Sequence, residues 1–337
     1  MENQLIFVIG SPRSGSTLLA RMLGAHSAIL GRPEPHLLTP LAHLGYYDKV
    51  DKAPYDAVLA AESTRQFVAD LPGGERDYID ACRAYTDVLY GRMLATAPEK
   101  TLFLDKTPAY ALVLDFIERI YPEARYVVLT RHPLAIFSSY AESFFNGDYR
   151  AAHQYNPILE RYVPAIAKFL RTTGAQAHHV VYEQLVSDPA IHLEKIFAFL
   201  GVDNEPDAVN YGKSAPVAAG LGDPIGVRKH SRPSTESLEK WAAEIVSQPE
   251  RIEICREMIA RLAPEDLAIW GHPIDDAFWA PLDRAAGVPV AAPKKALDRY
   301  RLERAAIVRG RALVQRSAIL RKLLSTTRLA ADVLLRE

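Results

Sequence analysis

The chain has 337 residues, 49% of them apolar and 24% charged, so it can bury a full core and falls outside the disordered, collagen-like and disulfide-scaffold classes. Its 40 basic and 41 acidic side chains leave a net charge of -1, which excludes recruitment of nucleic acid by a global field and leaves any anion site to local placement. Cys82 and Cys255 form no CxxC pattern, which argues against a disulfide framework or structural zinc and points to a reducing, cytoplasmic setting.

Met1–Gln4 runs directly into Leu5–Ile9, which reads as a buried strand; no secretory signal is expected, and no apolar run reaches the length that spans a bilayer. Gly10-Ser11-Pro12-Arg13-Ser14-Gly15-Ser16-Thr17 follows, and then a helix. Strand, glycine-bounded turn and helix together make an anion cradle, because successive N–H groups point into the concavity and the helix dipole adds positive charge. The glycine spacing and Thr17 match the triphosphatase loop GxxxxGK[ST], yet Ser16 stands where its lysine belongs and the cation sits inside the loop, at Arg13. Further on, Gly31-Arg32-Pro33-Glu34-Pro35-His36 places a glutamate between two prolines, on an extended segment and not in a helix.

Tyr78, Cys82, Tyr85, Val88, Leu89 and Met93 recur at spacings of three and four and predict the core face of an inserted helix. Thr101–Leu104 is the next strand, followed by Asp105-Lys106-Thr107-Pro108. Arg125–Thr130 is the third, ending in Arg131-His132-Pro133 with Ser139 eight residues after Arg131. At that spacing both side chains can face one phosphate, the guanidinium in bidentate fashion. Ile158, Tyr162, Ile166 and Phe169 form a second helical stripe, and His178–Tyr182 is a fourth strand. Short apolar strands alternating with helical segments imply an α/β fold around a central parallel sheet.

Beyond about residue 203 the strand signal fades. Gly220, Gly222, Pro224, Gly226 and Pro233 mark a loop-rich stretch before a helix at Thr235–Val246, and His272 in Trp270-Gly271-His272-Pro273 reads as a turn residue without a role. A main domain over 1–290 and a basic amphipathic helical extension over 291–337 are expected. From Lys294 to Glu337 there are 12 Lys/Arg against 4 Asp/Glu, a local +8 that leaves -9 for the rest. Its apolar positions, among them Leu297, Val314, Leu320 and Leu324, suit packing on the main domain or on a second protomer, the commoner fate, or contact with an anionic membrane surface.

Three motifs stand in order across residues 5–201: the loop from Pro12 to Thr17, Arg131 with Ser139, and Val181-Tyr182-Glu183-Gln184-Leu185-Val186 followed by Asp188-Pro189. In these the sequence resembles the sulfotransferases that use 3'-phosphoadenosine 5'-phosphosulfate, in their tyrosylprotein and bacterial small-molecule branches. The resemblance implies a P-loop-like three-layer fold and sulfuryl transfer to a hydroxyl of a metabolite, lipid or carrier-bound acyl chain. Adenosine 3',5'-bisphosphate would be the product, and no metal would be required. It also implies that Ser11, Pro12, Arg13, Ser14, Gly15, Ser16 and Thr17 cradle the donor. Arg131 and Ser139 would bind its 3'-phosphate, and Tyr182 would approach the nucleotide. Arg232, in a basic stretch with Arg228, Lys229 and His230, would close over that phosphate.

The cytosolic branch draws its base from a histidine two residues after a lysine, where this chain has Pro108 after Lys106. The tyrosylprotein branch uses a glutamate, and Glu34 stands 21 residues beyond Arg13 at the matching separation, with His36 as the competing base. Lys106 and Arg13 would then offset charge on the departing oxygen. Two rivals are a small-molecule or nucleotide kinase, disfavoured by the missing loop lysine, and a non-catalytic nucleotide-binding adaptor, which would need no base.

Overall fold

Along Leu5–Ile9 the side chains alternate between two cores: Leu5, Phe7 and Ile9 enter one apolar cluster, Ile6 and Val8 the other, and all five are fully buried. A strand buried on both faces needs helices on both sides, so three layers follow from this one segment. The computed structural model describes residues 1–33, 64–213, 232–235 and 238–286, with isolated positions at 38, 41, 310, 314 and 317–320.

Five parallel strands form the sheet: β1 (Leu5–Ile9), β2 (Ile29–Pro33), β3 (Leu102–Lys106), β4 (Arg125–Thr130) and β5 (Gln176–Val181), in the order β2-β3-β1-β4-β5. The four predicted strands are present, Leu5–Ile9 and Arg125–Thr130 with the expected ends and the other two with ends shifted by one or two residues, and β2 is an addition. Ile29-Leu30-Gly31-Arg32-Pro33 has only two apolar residues, too few to signal a strand; it pairs along β3 from Ile29 with Leu102 to Pro33 with Lys106. Helix α1 (Ser16–Gly24) packs on one face of the sheet, where Leu19, Met22 and Leu23 meet Ile6 and Val8.

The helix α2 (Glu75–Leu94) corrects the expected stripe. Cys82, Thr86, Tyr90 and Leu94 are buried, whereas Tyr85 and Val88 are 53% and 54% exposed and Leu89 and Met93 are also exposed. The inward face runs in steps of four through Thr86 and Tyr90, whose hydroxyls meet Tyr121 and Asp105. A polar threonine in the buried row hid its phase from an apolar count. Helix α3 (Leu114–Ile120) lies beside it, and α4 (Pro133–Phe145) follows β4. After α5 (Tyr149–Tyr155) comes α6 (Ile158–Thr172), whose Ile158, Tyr162, Ile166 and Phe169 are all buried as expected.

Beyond β5, α7 (Tyr182–Ser187) and α8 (Pro189–Leu200) cover the face that α1 covers. Of the predicted helix at Thr235–Val246, α9 spans Lys240–Val246, while Glu236 and Ser237 lie outside the described residues. Three further helices follow, α10 (Pro249–Ile259), α11 (Pro264–Ile269) and α12 (Asp276–Ala285); Trp241 of α9, Ile254 of α10, Trp270 at the C-cap of α11 and Phe278 of α12 join the larger core. Most of the extension over 291–337 lies outside the described residues; within it Ile319 and Leu320 are exposed. Among the described residues no helix is long and apolar enough to cross a membrane.

Candidate active site

Parallel strands deliver their carboxyl ends to one edge of a sheet, and there Arg13 follows β1, Lys106 ends β3, Arg131 follows β4 and Tyr182-Glu183 follows β5. The loop after β1 turns tightly, with the Ser14 N–H donating to the Ser11 carbonyl at 3.1 Å. Gly15, at φ 95°, is the N-cap of α1, and a Cβ on it would stand 2.5 Å from the Tyr182 ring. A Cβ on Gly10 would stand 2.6 Å from Ser14 Oγ. Both glycines are thus required by contact. Ser14 Oγ is buried with no hydrogen-bond partner among the described residues, a polar atom that a phosphate in the cradle would satisfy.

Three cations converge on this loop. Arg13 lies in it with φ 70° and donates from Nε to Ser139 Oγ of α4 at 3.0 Å. Lys106, 3% exposed at the end of β3, donates from Nζ to Thr17 Oγ1 at 3.3 Å. Arg131, just past β4, donates to the Arg13 carbonyl at 3.2 Å, and its guanidinium lies 4.4 Å from the centre of the Tyr182 ring. Burial lowers the Arg131 pKa from its ordinary value; Tyr182 and Glu183 act against that shift and the Arg13 cation adds to it. Arg13, Ser139 and Arg131 are therefore brought together from three separate segments, and Tyr182 packs between the loop and Arg131.

Glu34 and His36 lie outside the described residues, as do Arg228, Lys229 and His230. What flanks the first pair is clear: Pro33 is the register partner of Lys106, and the Leu38 N–H donates to Tyr110 Oη at 3.0 Å. Arg232 is exposed, and its carbonyl accepts from Tyr211. Asp105 is fully buried and accepts from Tyr90 at 2.6 Å, Tyr110 at 3.0 Å and Thr107 at 3.0 Å. Burial and the adjoining carboxylate push both phenols well above their ordinary pKa, so they stay protonated donors. That role is structural. Among the described residues no group of three or more His, Cys, Asp or Glu side chains could hold a metal ion.

Sequence reasoning missed the support behind Arg131. Trp270 Nε1 donates to the Arg131 carbonyl at 2.8 Å, the His132 N–H donates to Glu183 Oε1 at 3.0 Å, and Glu183 Oε2 lies 3.3 Å from His272 Nε2. His272 is thus more than a turn residue, contrary to the expectation. Burial tends to raise the Glu183 pKa, but His272 and the His132 N–H outweigh it and hold the carboxyl below its ordinary value. His132, packed on Trp241 and Phe278, is pushed down to about 3, by burial first and by His272 next, and is neutral at pH 7. Its Nε2 donates to the Phe278 carbonyl, which fixes the tautomer.

Comparison with known proteins fits this arrangement. A profile of the sulfotransferase family matches residues 5–206. The chain is 39% identical over 135 residues to the nodulation protein NoeE of Sinorhizobium fredii, a match covering 40% of this chain and only 30% of that protein. It is 24% identical over 244 residues to a putative protein-tyrosine sulfotransferase of Caenorhabditis briggsae, covering 71% of this chain and 80% of the relative. Among solved structures, the sulfotransferase domain of a Synechococcus olefin synthase is similar at 27% identity with a TM-score of 0.52, over 77% of this chain and 95% of that domain. The sulfotransferase domain of the curacin biosynthetic pathway is similar at 25% identity with a TM-score of 0.51, over 75% and 96%.

Proposed function

Because the chain belongs to the sulfotransferase family and its chemistry is sulfuryl transfer, we propose that the donor is 3'-phosphoadenosine 5'-phosphosulfate and that Glu34 is the general base. The observation that carries this reading is the convergence of Arg13, Ser139 and Arg131 beside a loop whose Ser14 hydroxyl is buried and has no partner among the described residues. A donor with phosphates at both the 5' and the 3' positions matches two anion-binding groups: the loop of residues 11–17 for one, Arg131 with Ser139 for the other.

The donor supplies an activated sulfuryl group. Glu34 takes the proton of the acceptor hydroxyl as its oxygen bonds to sulfur, and the bond from sulfur to the bridging phosphate oxygen breaks in line. Lys106 and Arg13 offset the charge that grows on that oxygen, with adenosine 3',5'-bisphosphate released. The pairing of Pro33 with Lys106 supports Glu34 in this role, since it brings the backbone to within one residue of the glutamate beside the lysine. His36 is the competing base, and Arg232 is the residue proposed to close over the 3'-phosphate. The acceptor class is a hydroxyl on a metabolite, a lipid or a carrier-bound acyl chain; two similar structures are domains of biosynthetic enzymes.

The reading keeps residues 1–290 as the transferase domain and 291–337 as a basic extension. Two buried free cysteines, Cys82 and Cys255, support a cytoplasmic location. For the extension, +8 against -9 supports docking on the main domain, whereas exposed Ile319 and Leu320 support a lipid surface; flotation with anionic vesicles decides between them. The donor is tested by thermal shift: adenosine 3',5'-bisphosphate should raise Tm with saturation and ATP with magnesium should not. The reverse result would move the protein to the kinases.

A further inference from the structure

The peptide unit joining Arg131 to His132 is gripped at both of its polar atoms. Its carbonyl accepts from Trp270 Nε1 at 2.8 Å, and its N–H donates to Glu183 Oε1 at 3.0 Å. The two partners come from different parts of the chain. Glu183 belongs to the first turn of α7. Trp270 ends α11 and is fully buried. Gly271, at φ 91°, then turns the chain so tightly that a Cβ on it would stand 3.0 Å from Val181, and this turn sets His272 against the second carboxylate oxygen of Glu183. The residues at 270–272 lie well past 206, where the match to the family ends.

Such a grip has a specific consequence. The orientation of this peptide fixes the backbone of Arg131 at the end of β4, and with it the direction in which its Cα–Cβ bond leaves the chain. Tyr182, the neighbour of Glu183, meanwhile lies against the guanidinium. The dipeptide Tyr182-Glu183 therefore holds Arg131 by its head and by its backbone. His132 is also the N-cap of α4, and no side chain of its own caps that helix, so the Glu183 carboxylate supplies negative charge at an N-terminus that favours it.

We propose that Glu183, braced by His272 and aided by Trp270, is a positioning residue for Arg131, holding the guanidinium where it discriminates a 3'-phosphorylated nucleotide from one without that phosphate. This rests on the donor reading above. Glu183 does not touch the nucleotide in this account; it acts through the Arg131–His132 peptide.

The test measures binding of adenosine 3',5'-bisphosphate and of adenosine 5'-monophosphate to the full chain by calorimetry, and compares their affinity ratio among variants. Glu183→Ala removes the acceptor of a buried N–H and should lower the ratio by about tenfold, almost wholly through the bisphosphate. Glu183→Gln keeps an acceptor oxygen at the same place and should restore the ratio to within roughly threefold of the wild type. A purely structural role would lower Tm or weaken both ligands alike while leaving the ratio in place, and that result overturns the proposal. Should Glu183→Ala fail to fold, His272→Ala, which leaves the Glu183 carboxylate and its hydrogen bond to the His132 N–H in place, carries the same comparison: a lowered ratio supports the role and an unchanged one overturns it. A wild type that shows no preference for the bisphosphate would instead sink the donor reading, and the positioning role with it.

Discussion

Substituting Gly15 by alanine probes how the loop and Arg131 are coupled. The Cβ would stand 2.5 Å from Cδ2 and Cε2 of Tyr182, whereas carbon atoms pack best at roughly 3.5–4.0 Å, so the ring must retreat by about 1 Å. The ring is 6% exposed and stacks on Arg131, so retreat disturbs a packed neighbour. Overpacking of this kind costs about 1–3 kcal/mol. The left-handed backbone at φ 95° adds about 1–2 kcal/mol for a residue with a side chain, so Gly15→Ala should destabilise by about 2–5 kcal/mol in urea unfolding. In a Tyr182→Ala background the steric part disappears and only the backbone part, about 1–2 kcal/mol, should persist. The double-mutant cycle should therefore show a coupling of about 1–3 kcal/mol, well above the roughly 0.5 kcal/mol scatter of independent sites. A coupling within that scatter would refute the reasoning.

Arg131→Ala should weaken adenosine 3',5'-bisphosphate binding by about 1.5–3 kcal/mol and leave an analogue without the 3'-phosphate almost unaffected; equal losses for both ligands would make Arg131 structural. Glu34→Gln should keep donor affinity and lower turnover by roughly 10²–10⁴, while activity that survives it and is abolished by His36→Ala would transfer the base to His36. For His132 the folded pKa, about 3, lies below the unfolded value near 6.5, so the unfolded state takes up the proton first on acidification. Its contribution is complete above about pH 6.5 and is lost towards pH 3, at up to roughly 1.4 kcal/mol per pH unit. Unfolding of His132→Phe should show a flatter dependence over that window, and parallel curves would contradict the assignment.

The loop after β1 and the cations around it were legible in the sequence because their signals are local. Leu5–Ile9 with the loop to Thr17, and Arg131 with Ser139, each carry their meaning within ten or so residues, and the structure brings Arg13, Ser139 and Arg131 together. What sequence reasoning missed depends on contacts between distant segments. Thr86 is buried because Tyr121 meets its hydroxyl, a partner that helical spacing does not reveal. The strand β2 exists because β3 offers it an edge, although Gly31 and Pro33 are poor strand formers. Trp270 and His272 gave no signal in their own neighbourhood, since their partners lie at Arg131 and Glu183. Glu183 did stand inside a recognised motif, and only its role was unread.

The hydrogen bond from Trp270 to Arg131 spans 139 residues of chain, while the last strand of the sheet is complete at Val181. At a ribosomal rate of roughly 5–20 residues per second, the stretch between Val181 and Trp270 takes on the order of 4–18 s to synthesise. A nascent chain thus has all five strands in hand for seconds before the residue that grips the Arg131 carbonyl has been made. Acquisition of the layered scaffold and acquisition of a set guanidinium are separate events in the life of the polypeptide. A chain stopped near residue 206 would keep β1 through β5 and α1 through α8 and lose that grip.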